Sequence, residues 1–592
     1  MMLFPGRLKT ADFRKALIIQ FLSLSILLLS VFPAAAVFNS ENILVFKDSG
    51  PTRIPEYTAL LHAFNATGMS FSDTGIIPSS GKGLVLYIPV PIEGLYDAGL
   101  ARSVENFVLT GGSLIVFGAP GRGFADFAGI TSWDTSSQRF RVDFTREGAS
   151  YFGFINRPEE RYFLTGNRSN KKTFESCGYA AAGGETVALF DDGSAAIWRK
   201  EKGEGEIYLI GLSPEDLILK AELGLDPGTS RIFVNGFEPA ADVIKLLLRG
   251  IACRKDGFLV SKRAVPHLDP STLILTFEVE ETGRLKDAER FLDLCTGESM
   301  SATFFLTAKT YGKSGKEEYF IDDEGIEIVK KIYLKGCEIG CHTFTHPWGF
   351  FRMPQGSPDM VPFSYDGMGP KTLYGELKTL KKILESQIEG LKIVSFRSGH
   401  LGDNDRLAEA LEKSGYLYSS NHAAGDLMSN WPVELLSEKN TGAAAGPVIE
   451  IPYALDDSAA PVYLREDNLE RAYLVFTDII AANAENGSIT AMNIRPDGRE
   501  YLVPFTGRLL EYCAAKGIPV RSLSKFGDFY RKRNSVAVSW KKAGDEISLI
   551  VSEVLPGLSF LLEGYSGEKI NIFNASGVSV NYTSDGNIVF IE

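Results

Sequence analysis

The segment STLILTFEVE, residues 271–280, changes from an apolar run to two carboxylates. The apolar run predicts a buried β-strand, with Glu278 and Glu280 at its end. Residues two apart on a strand point to the same side, so both carboxylates would face one place. A solvated turn is the usual fate of acidic clusters. The carboxyl ends of strands are also where β/α barrels keep their sites, which makes this position a candidate site.

Strand and helix patterns continue to alternate along residues 265–530. SATFFLTA and KIVSFRSG read as strands, whereas DEGIEIVKKIYLKG and KTLYGELKTLKKILESQ have helical spacing. A chain of 592 residues is too long for one core, so several domains are expected. We predict that residues 265–530 form a distorted (β/α) barrel.

Two further domains are predicted from the flanking sequence. Residues 41–250 contain an earlier βα series, in which NILVF and GLVLYIPV enclose a helical segment, and this predicts a doubly wound parallel α/β domain. Residues 535–592 alternate apolar and polar side chains between glycine, asparagine and aspartate, which predicts a small β-sandwich-like domain. The expected fold class is therefore multidomain α/β with an all-β C-terminus.

Residues 1–36 have the features of a targeting segment. A basic start with Lys9, Arg14 and Lys15 precedes the apolar run ALIIQFLSLSILLLSVF and an A-x-A sequence. The run is short for a membrane span, which favours a cleaved signal peptide over an uncleaved anchor. Either one predicts a secreted or cell-surface protein whose membrane association is through this segment alone. The formal net charge of −13 argues against nucleic acid as a partner.

Two histidines, His342 and His346, lie four residues apart in GCEIGCHTFTHPWG. Their spacing puts both imidazoles on one side of the segment. With a carboxylate from elsewhere, two imidazoles are the minimal protein set for a catalytic metal, and they leave one position for water. The pair taken alone is equally compatible with ordinary polar core or surface residues.

Five motifs occur together in an order that resembles a known family. LTFEVEE, ATFFLTA, GCEIGCHTFTHP, FRSGHLGDN and GYLYSSN are similar in order and spacing to those of the polysaccharide deacetylases, the NodB-homology or family 4 carbohydrate esterases. The resemblance implies a distorted β/α barrel that removes N- or O-acetyl groups from a glycan. It also implies Zn²⁺ or another divalent metal as cofactor and a polysaccharide as the partner.

The resemblance assigns roles to individual residues. It implies that His342, His346 and Glu280 bind the metal. It implies that Glu278 is the catalytic base and that Arg397 holds the base carboxylate in place. Thr343 and Thr345 fall where hydroxyls support the histidine motif.

Two features depart from the family pattern. Both acids of the first motif are glutamate rather than aspartate, and glutamate is one methylene longer. In SITAMNIRPDGREY, Arg495 takes the place of the histidine that acts as general acid. Arginine does not release a proton at neutral pH, so Arg495 is expected to bind substrate or an anion. His400 in FRSGHLG is the catalytic candidate for the acid role, with a polar loop residue as the alternative.

Three functional hypotheses follow. The first is an exported metal-dependent glycan deacetylase, and the second is a catalytically impaired relative that binds glycan or acts as a scaffold. The third is an amidase that uses the same site on a small substrate that is not a glycan. Residues 41–250 loosely resemble class I glutamine amidotransferase-like domains. Catalytic members of that class carry a cysteine on the turn after the corresponding strand. In this chain the strand is followed by FGAPGRGF, which contains no cysteine, so this domain is expected to be non-catalytic.

Overall fold

The structure is a computed structural model of the chain. It describes residues 42–47, 55–92, 98–167, 172–220, 238–280, 282–295, 300–311, 317–359, 372–402, 404, 406–422, 430–436, 448–458 and 462–592. The predicted targeting segment, residues 1–36, lies outside the described residues. Among the helices of the described ranges, none is both long and apolar enough to cross a membrane.

An 11-stranded mixed sheet forms the N-terminal part of the described chain. Its strands are β1 (Ile43–Phe46), β2 (Ser72–Thr74), β3 (Val85–Ile88), β4 (Ser113–Phe117), β5 (Ile130–Ser136), β6 (Arg141–Phe144), β7 (Tyr162–Leu164), β10 (Ser176–Ala181), β11 (Glu185–Phe190), β12 (Ala195–Lys202) and β13 (Gly205–Ile210), with a separate hairpin of β8 (Gly166–Asn167) and β9 (Lys172–Thr173). Strands β2, β1, β3, β4 and β13 lie side by side and run parallel.

Helices pack on both faces of the parallel strands. They are α1 (Pro55–Thr67), α2 (Ala98–Leu109), α3 (Gly121–Ala128) and α5 (Glu238–Asp256), whereas α4 (Arg146–Ser150) packs on β11. Leu86 and Ile88 share a core with α2 and α3, whereas Tyr87 between them contacts the other face. There the ring of Phe64 on α1 lies 5.0 Å from that of Tyr87, whose hydroxyl donates to the Leu248 carbonyl on α5. The two-faced α/β architecture predicted here is confirmed.

The other half of the sheet is antiparallel, which the sequence reasoning did not foresee. Strands β5 to β7 and β10 to β12 extend the sheet through antiparallel pairings. Gly193 (φ 88°) and Gly203 (φ 62°) make two of the tight turns, where a side chain would strain the left-handed backbone. Beyond α5, strand β14 (Leu259–Lys262) leaves this sheet and joins the C-terminal region.

The central domain is a curled ten-stranded sheet that forms an open barrel. Its strands are β15 (Leu273–Val279), β16 (Thr303–Leu306), β19 (Glu338–Cys341), β20 (Ser395–Phe396), β21 (Tyr418–Ser419), β22 (Val433–Glu434), β23 (Ile449–Glu450), β24 (Leu455–Asp456), β25 (Thr490–Ile494) and β26 (Val520–Arg521), and a hairpin adds β17 (Lys309–Tyr311) and β18 (Glu317–Tyr319). The spatial order is β22-β23-β21-β20-β19-β16-β15-β25-β24, with β26 beside β15. All pairs are parallel except β22 with β23, so the strand ends collect at one rim.

Within the described ranges, seven helices accompany the barrel strands. They are α6 (Thr282–Glu289), α7 (Asp323–Leu334), α8 (Leu373–Gln387), α9 (Leu407–Lys413), α10 (Leu469–Glu485), α11 (Leu502–Ala515) and α12 (Leu523–Ser535). Among the residues that the structure describes, β22 and β24 stand at opposite edges of the sheet. The distorted barrel expected from the βα series is confirmed.

The C-terminal region consists of two small β-sheets. One contains β27 (Val538–Ala543), β28 (Glu546–Val551) and β30 (Lys569–Asn574), and the other contains β29 (Ser559–Glu563), β31 (Tyr582–Asp585) and β32 (Ile588–Ile591) together with β14. The partner of β14 is β29, about three hundred residues further along the chain. The all-β C-terminus is as expected, and the recruitment of β14 is a finding of the structure.

The buried side chain of Arg533 on α12 connects the three regions. Its guanidinium donates to the carbonyls of Asn65 and Ala66 at the end of α1, at 2.7 and 3.2 Å. It also donates to the carbonyls of Lys262 and Arg263, at 2.8 and 3.1 Å. Because the Arg533 side chain is fully buried, these hydrogen bonds are shielded from water and join the segments directly.

Replacing this arginine with methionine (Arg533→Met) should lower the free energy of unfolding by about 3 kcal/mol or more, since it removes the buried hydrogen bonds that join these segments. Urea unfolding followed by circular dichroism measures the change. Arg508→Met is the control, because Arg508 pairs with Glu470 on the exposed surface and should matter little. Equal unfolding midpoints for the two variants would contradict the role of Arg533.

Candidate metal centre

Three adjacent parallel strands bring the acidic and histidine motifs together. Strand β15 pairs with β16, and β16 pairs with β19, so that Val279, Leu306 and Cys341 lie side by side at the strand ends. Glu280 and His342 each follow directly after these ends. Because the strands pair in this register, Glu280 and His342 come into contact although they lie some sixty residues apart in sequence.

Glu280, His342 and His346 converge on one point. Their potential ligand atoms all lie within 4.8 Å of one another. Oε1 of Glu280 is 3.6 Å from Nε2 of His342 and 3.3 Å from Nε2 of His346. Both Nε2 atoms are buried and have no hydrogen-bond partner among the described residues. Two buried imidazole nitrogens and a carboxylate oxygen facing one another fit a divalent metal such as Zn²⁺.

The backbone fixes the tautomer of His342. Its Nδ1 lies 3.1 Å from the Arg397 carbonyl oxygen, which can only accept a hydrogen bond, so Nδ1 carries the proton. The lone pair of Nε2 then points towards Glu280 and His346. Burial also lowers the pKa of His342, which favours the neutral ring that a metal ligand requires.

A buried carboxylate on α8 supports the histidine loop. Glu376 accepts from the backbone N–H groups of Phe344 and Thr345, both at 2.8 Å, and from the Thr345 hydroxyl at 2.7 Å. Burial raises the pKa of Glu376 to about 7 against the opposing effect of these hydrogen bonds. The loop needs support because Thr343 and His346 have positive φ angles of 61° and 51°. Sequence reasoning missed Glu376. Its position on the apolar face of an amphipathic helix could have indicated a buried acid with a structural role.

A second unforeseen residue, Arg284, holds the other oxygen of Glu280. Its Nη1 donates to Oε2 of Glu280 at 2.6 Å, which leaves Oε1 facing the histidines. Arg284 lies on α6, four residues after Glu280, a spacing typical of ion pairs. This contact orients the longer glutamate side chain that stands where the family pattern has aspartate.

Glu278, the predicted base, is buried between two arginines. Arg397 lies 3.2 Å from Oε1 and Arg495 lies 2.9 Å from Oε2. Burial opposes ionisation of this carboxyl, but Arg495, His342 and Arg397 outweigh it and lower its pKa to about 2. The carboxyl is therefore an anion at neutral pH. Arg397 thus makes the contact with Glu278 that the family resemblance implied.

Arg495 also pairs with two aspartates that sequence reasoning did not single out. Its Nη1 lies 2.7 Å from Asp456 and 3.6 Å from Asp457. Both aspartates are buried at the end of β24, next to β25, which leads into Arg495. In the sequence, these two aspartates could have been recognised as an acidic pair directly after a short apolar segment. Arg495 therefore bridges the carboxylates of β15 and β24, the two strands on either side of β25, and lines the cleft.

His400 lies beside the histidine pair. Its ring centroid is 4.1 Å from that of His346 and 3.6 Å from that of Trp348, on which it stacks. Burial and the neighbouring His346 lower the pKa of His400 to about 4, so the ring is neutral at neutral pH. A neutral imidazole is a weak proton donor, and the acid role of His400 stays a prediction.

Six of the seven residues predicted for the site line one cleft of about 370 Å³. The seventh, Arg397, does not line the cleft: it is fully buried and contacts Glu278, which does. The lining residues are Glu278, Glu280, Arg284, His342, His346, His400, Leu401, Tyr453, Asp456, Ser458, Tyr463, Arg495, Asp497 and Arg499. The cleft combines a candidate metal centre, a carboxylate and several cationic side chains, which is a set suited to hydrolysis of a carbonyl compound.

Comparison with known proteins identifies the class of this domain. Residues 267–419 match the family model described as polysaccharide deacetylase, and this part of the chain is a polysaccharide deacetylase domain. A comparison with curated proteins gave no significant match. None of the comparisons supports the expected resemblance of residues 41–250 to glutamine amidotransferases.

Several solved structures are similar to the central domain. A candidate polysaccharide deacetylase from Mycobacterium smegmatis is 18% identical, with 46% of this chain and 95% of that chain covered and a TM-score of 0.32. A chitin deacetylase from Colletotrichum lindemuthianum is 14% identical, with 44% and 89% covered and a TM-score of 0.28. A family 4 carbohydrate esterase from Streptomyces lividans, in complex with acetate, is 14% identical, with 43% and 92% covered and a TM-score of 0.25.

Replacing Arg284 with glutamine should weaken Zn²⁺ binding about 10- to 100-fold, because Glu280 loses the contact that orients it. Competition with a chromophoric chelator measures the affinity without any assay of activity. Lys286→Gln is the matched control, since Lys286 lies on the same helix and pairs with Glu324 at the surface. If the two variants bound zinc with equal affinity, Arg284 would have no part in the centre.

Proposed function

We propose that this protein is an exported, metal-dependent glycan deacetylase that hydrolyses N- or O-acetyl groups of a surface or extracellular polysaccharide. The observation that carries the proposal is the convergence of Glu280, His342 and His346 beside the buried Glu278. This cluster lies at the rim of the polysaccharide deacetylase domain. The targeting features of residues 1–36 support export.

The proposed chemistry assigns one task to each group. Glu280, His342 and His346 would hold the metal, which when bound supplies a Lewis acid for a water molecule and an acetyl carbonyl. Glu278 would accept the proton of the attacking water. Arg397, with its hydrogen bonds to Ser420 at 2.7 Å, keeps Glu278 in place. The products are acetate and a free amine or hydroxyl on the sugar.

Arg495 is proposed to stabilise negative charge rather than to donate a proton. It is a permanent cation at the cleft, and its side chain is 22% exposed. Charge that develops on the acetyl oxygen would be attracted to its guanidinium. Protonation of the leaving group would then fall to another donor, with His400 or water as the candidates.

One observation favours a second candidate function, a glycan-binding or scaffolding module with impaired catalysis. Both oxygens of Glu278 are engaged by guanidinium groups, at 3.2 and 2.9 Å. A carboxylate that is paired on both sides is a weak proton acceptor. Such a module would keep the cleft and the metal centre for binding and would turn over slowly.

The first test is release of acetate from acetylated amino-sugar polymers by the protein loaded with zinc. The proposal expects measurable turnover that His342→Ala reduces by about 10³-fold or more, since one ligand of the centre is lost. Circular dichroism checks that the variant is folded. No acetate after loading with zinc, cobalt or nickel would refute the deacetylase function and leave the binding module.

A second test replaces the arginine with the family's histidine (Arg495→His). The expected result is a kcat raised by about tenfold or more, because the change frees one oxygen of Glu278 and adds a proton donor. Arg508→His serves as the control, since Arg508 pairs with Glu470 on the exposed surface and does not line the cleft. An unchanged kcat would show that neither the missing acid nor the paired carboxylate limits the reaction.

A further inference from the structure

Two of the six cysteines meet in the buried core of the polysaccharide deacetylase domain. Cys295 ends a short 3-10 helix that follows α6, and Cys337 directly precedes strand β19. Both are free thiols, with exposed fractions of 4% and 3%. Their side chains form a hydrogen bond with each other. About forty residues separate the two positions in sequence, so the fold alone brings the sulfurs together.

This sulfur–sulfur contact differs from the surroundings of other buried cysteines in the chain. A buried cysteine usually behaves as a small hydrophobic residue. Cys177 and Cys341 are of this kind, and each interacts with a neighbouring tyrosine. Cys295 and Cys337 instead present their thiols to each other, which is the arrangement that a disulfide bond requires.

The groups around Cys337 favour its thiolate form. The hydrogen bond from Cys295 lowers the pKa of Cys337, and the backbone N–H of Ala302 and the nearby Lys525 act in the same direction, against the opposing effect of burial. The same hydrogen bond, together with burial, raises the pKa of Cys295. In thiol–disulfide exchange the thiol with the lower pKa makes the first attack, and its neighbour resolves the intermediate.

We propose that Cys295 and Cys337 form a disulfide bond when the chain folds in an oxidising compartment. The Cys337 thiolate attacks one sulfur of glutathione disulfide, which forms a mixed disulfide and releases one glutathione thiolate. Cys295 then loses its proton and attacks the Cys337 sulfur, which forms the bond and releases the second glutathione. Two cysteine thiols are oxidised, and one glutathione disulfide is reduced to two thiols. This inference goes beyond the proposed function and shares with it only the export of the chain.

The bond joins two elements that carry the candidate metal centre. Cys295 follows α6, on which Arg284 holds Glu280. Cys337 leads into β19, which ends directly before His342. The crosslink closes a loop that contains β16 and α7, which removes chain entropy from the unfolded state. Because both sulfurs are buried, the finished bond is shielded from reductants.

Refolding of the full chain in a mixture of reduced and oxidised glutathione tests the bond directly. The reduced, unfolded chain reacts with six equivalents of a thiol reagent, one for each cysteine, and the oxidised chain should react with two fewer. Peptide mass mapping without reduction should find Cys295 and Cys337 in one linked pair. Cys513→Ser is the control, because Cys513 is another buried cysteine of this domain, and it should still give the linked pair. Cys295→Ser should not.

The oxidised protein should also unfold at a urea midpoint higher than that of the reduced protein by about 0.5 M or more, since the bond constrains the unfolded chain. Cys295→Ser should show no such shift under the same treatment. Six reactive thiols after refolding, a linked pair that involves a different cysteine, or equal midpoints for the two forms would overturn the proposal. The bond without acetate release would refute the deacetylase function alone, and acetate release by a chain with six reactive thiols would refute the bond alone.

Discussion

The central domain depends on the ion pair between the fully buried guanidinium of Arg397 and Glu278. The guanidinium lies between the rings of Phe305 and Tyr453, at 4.5 and 4.6 Å, and donates to Asn493 at 2.7 Å. A buried cation is stable only where an anion and enough acceptors surround it, and Glu278 is that anion. The Arg397 backbone carbonyl also fixes the tautomer of His342. One residue thus links the core of the barrel, the candidate base and the candidate metal centre.

The sequence was sufficient for those parts of the fold and site that depend on local pattern. The βα alternation predicted the barrel, strand spacing placed Glu278 and Glu280 on one side, and the family resemblance implied that His342 would join them. The antiparallel half of the first sheet and the recruitment of β14 depend on pairings between distant segments, which periodicity does not report. Arg284 and Glu376 were missed because their importance lies in which side-chain oxygen or backbone group they contact.

Arg495 distinguishes this cleft from the histidine-bearing pattern that the sequence resembles. A histidine there could release a proton, whereas the arginine forms ion pairs with Glu278, Asp456 and Asp457. The same residue therefore supports two different accounts. It is an anion-stabilising group if the chain turns over substrate, and a structural bridge if the chain only binds glycan. Both accounts keep the metal centre, since its three ligand atoms make no contact with Arg495 among the described residues.

The central claim is that Glu280, His342 and His346 bind one divalent metal ion. Anomalous diffraction from crystals of the full chain grown with Zn²⁺, recorded on both sides of the zinc absorption edge, tests it most directly. The account predicts a single strong peak about 2.0–2.2 Å from Nε2 of His342, Nε2 of His346 and Oε1 of Glu280. A zinc-saturated crystal with no anomalous peak between these three side chains would contradict it.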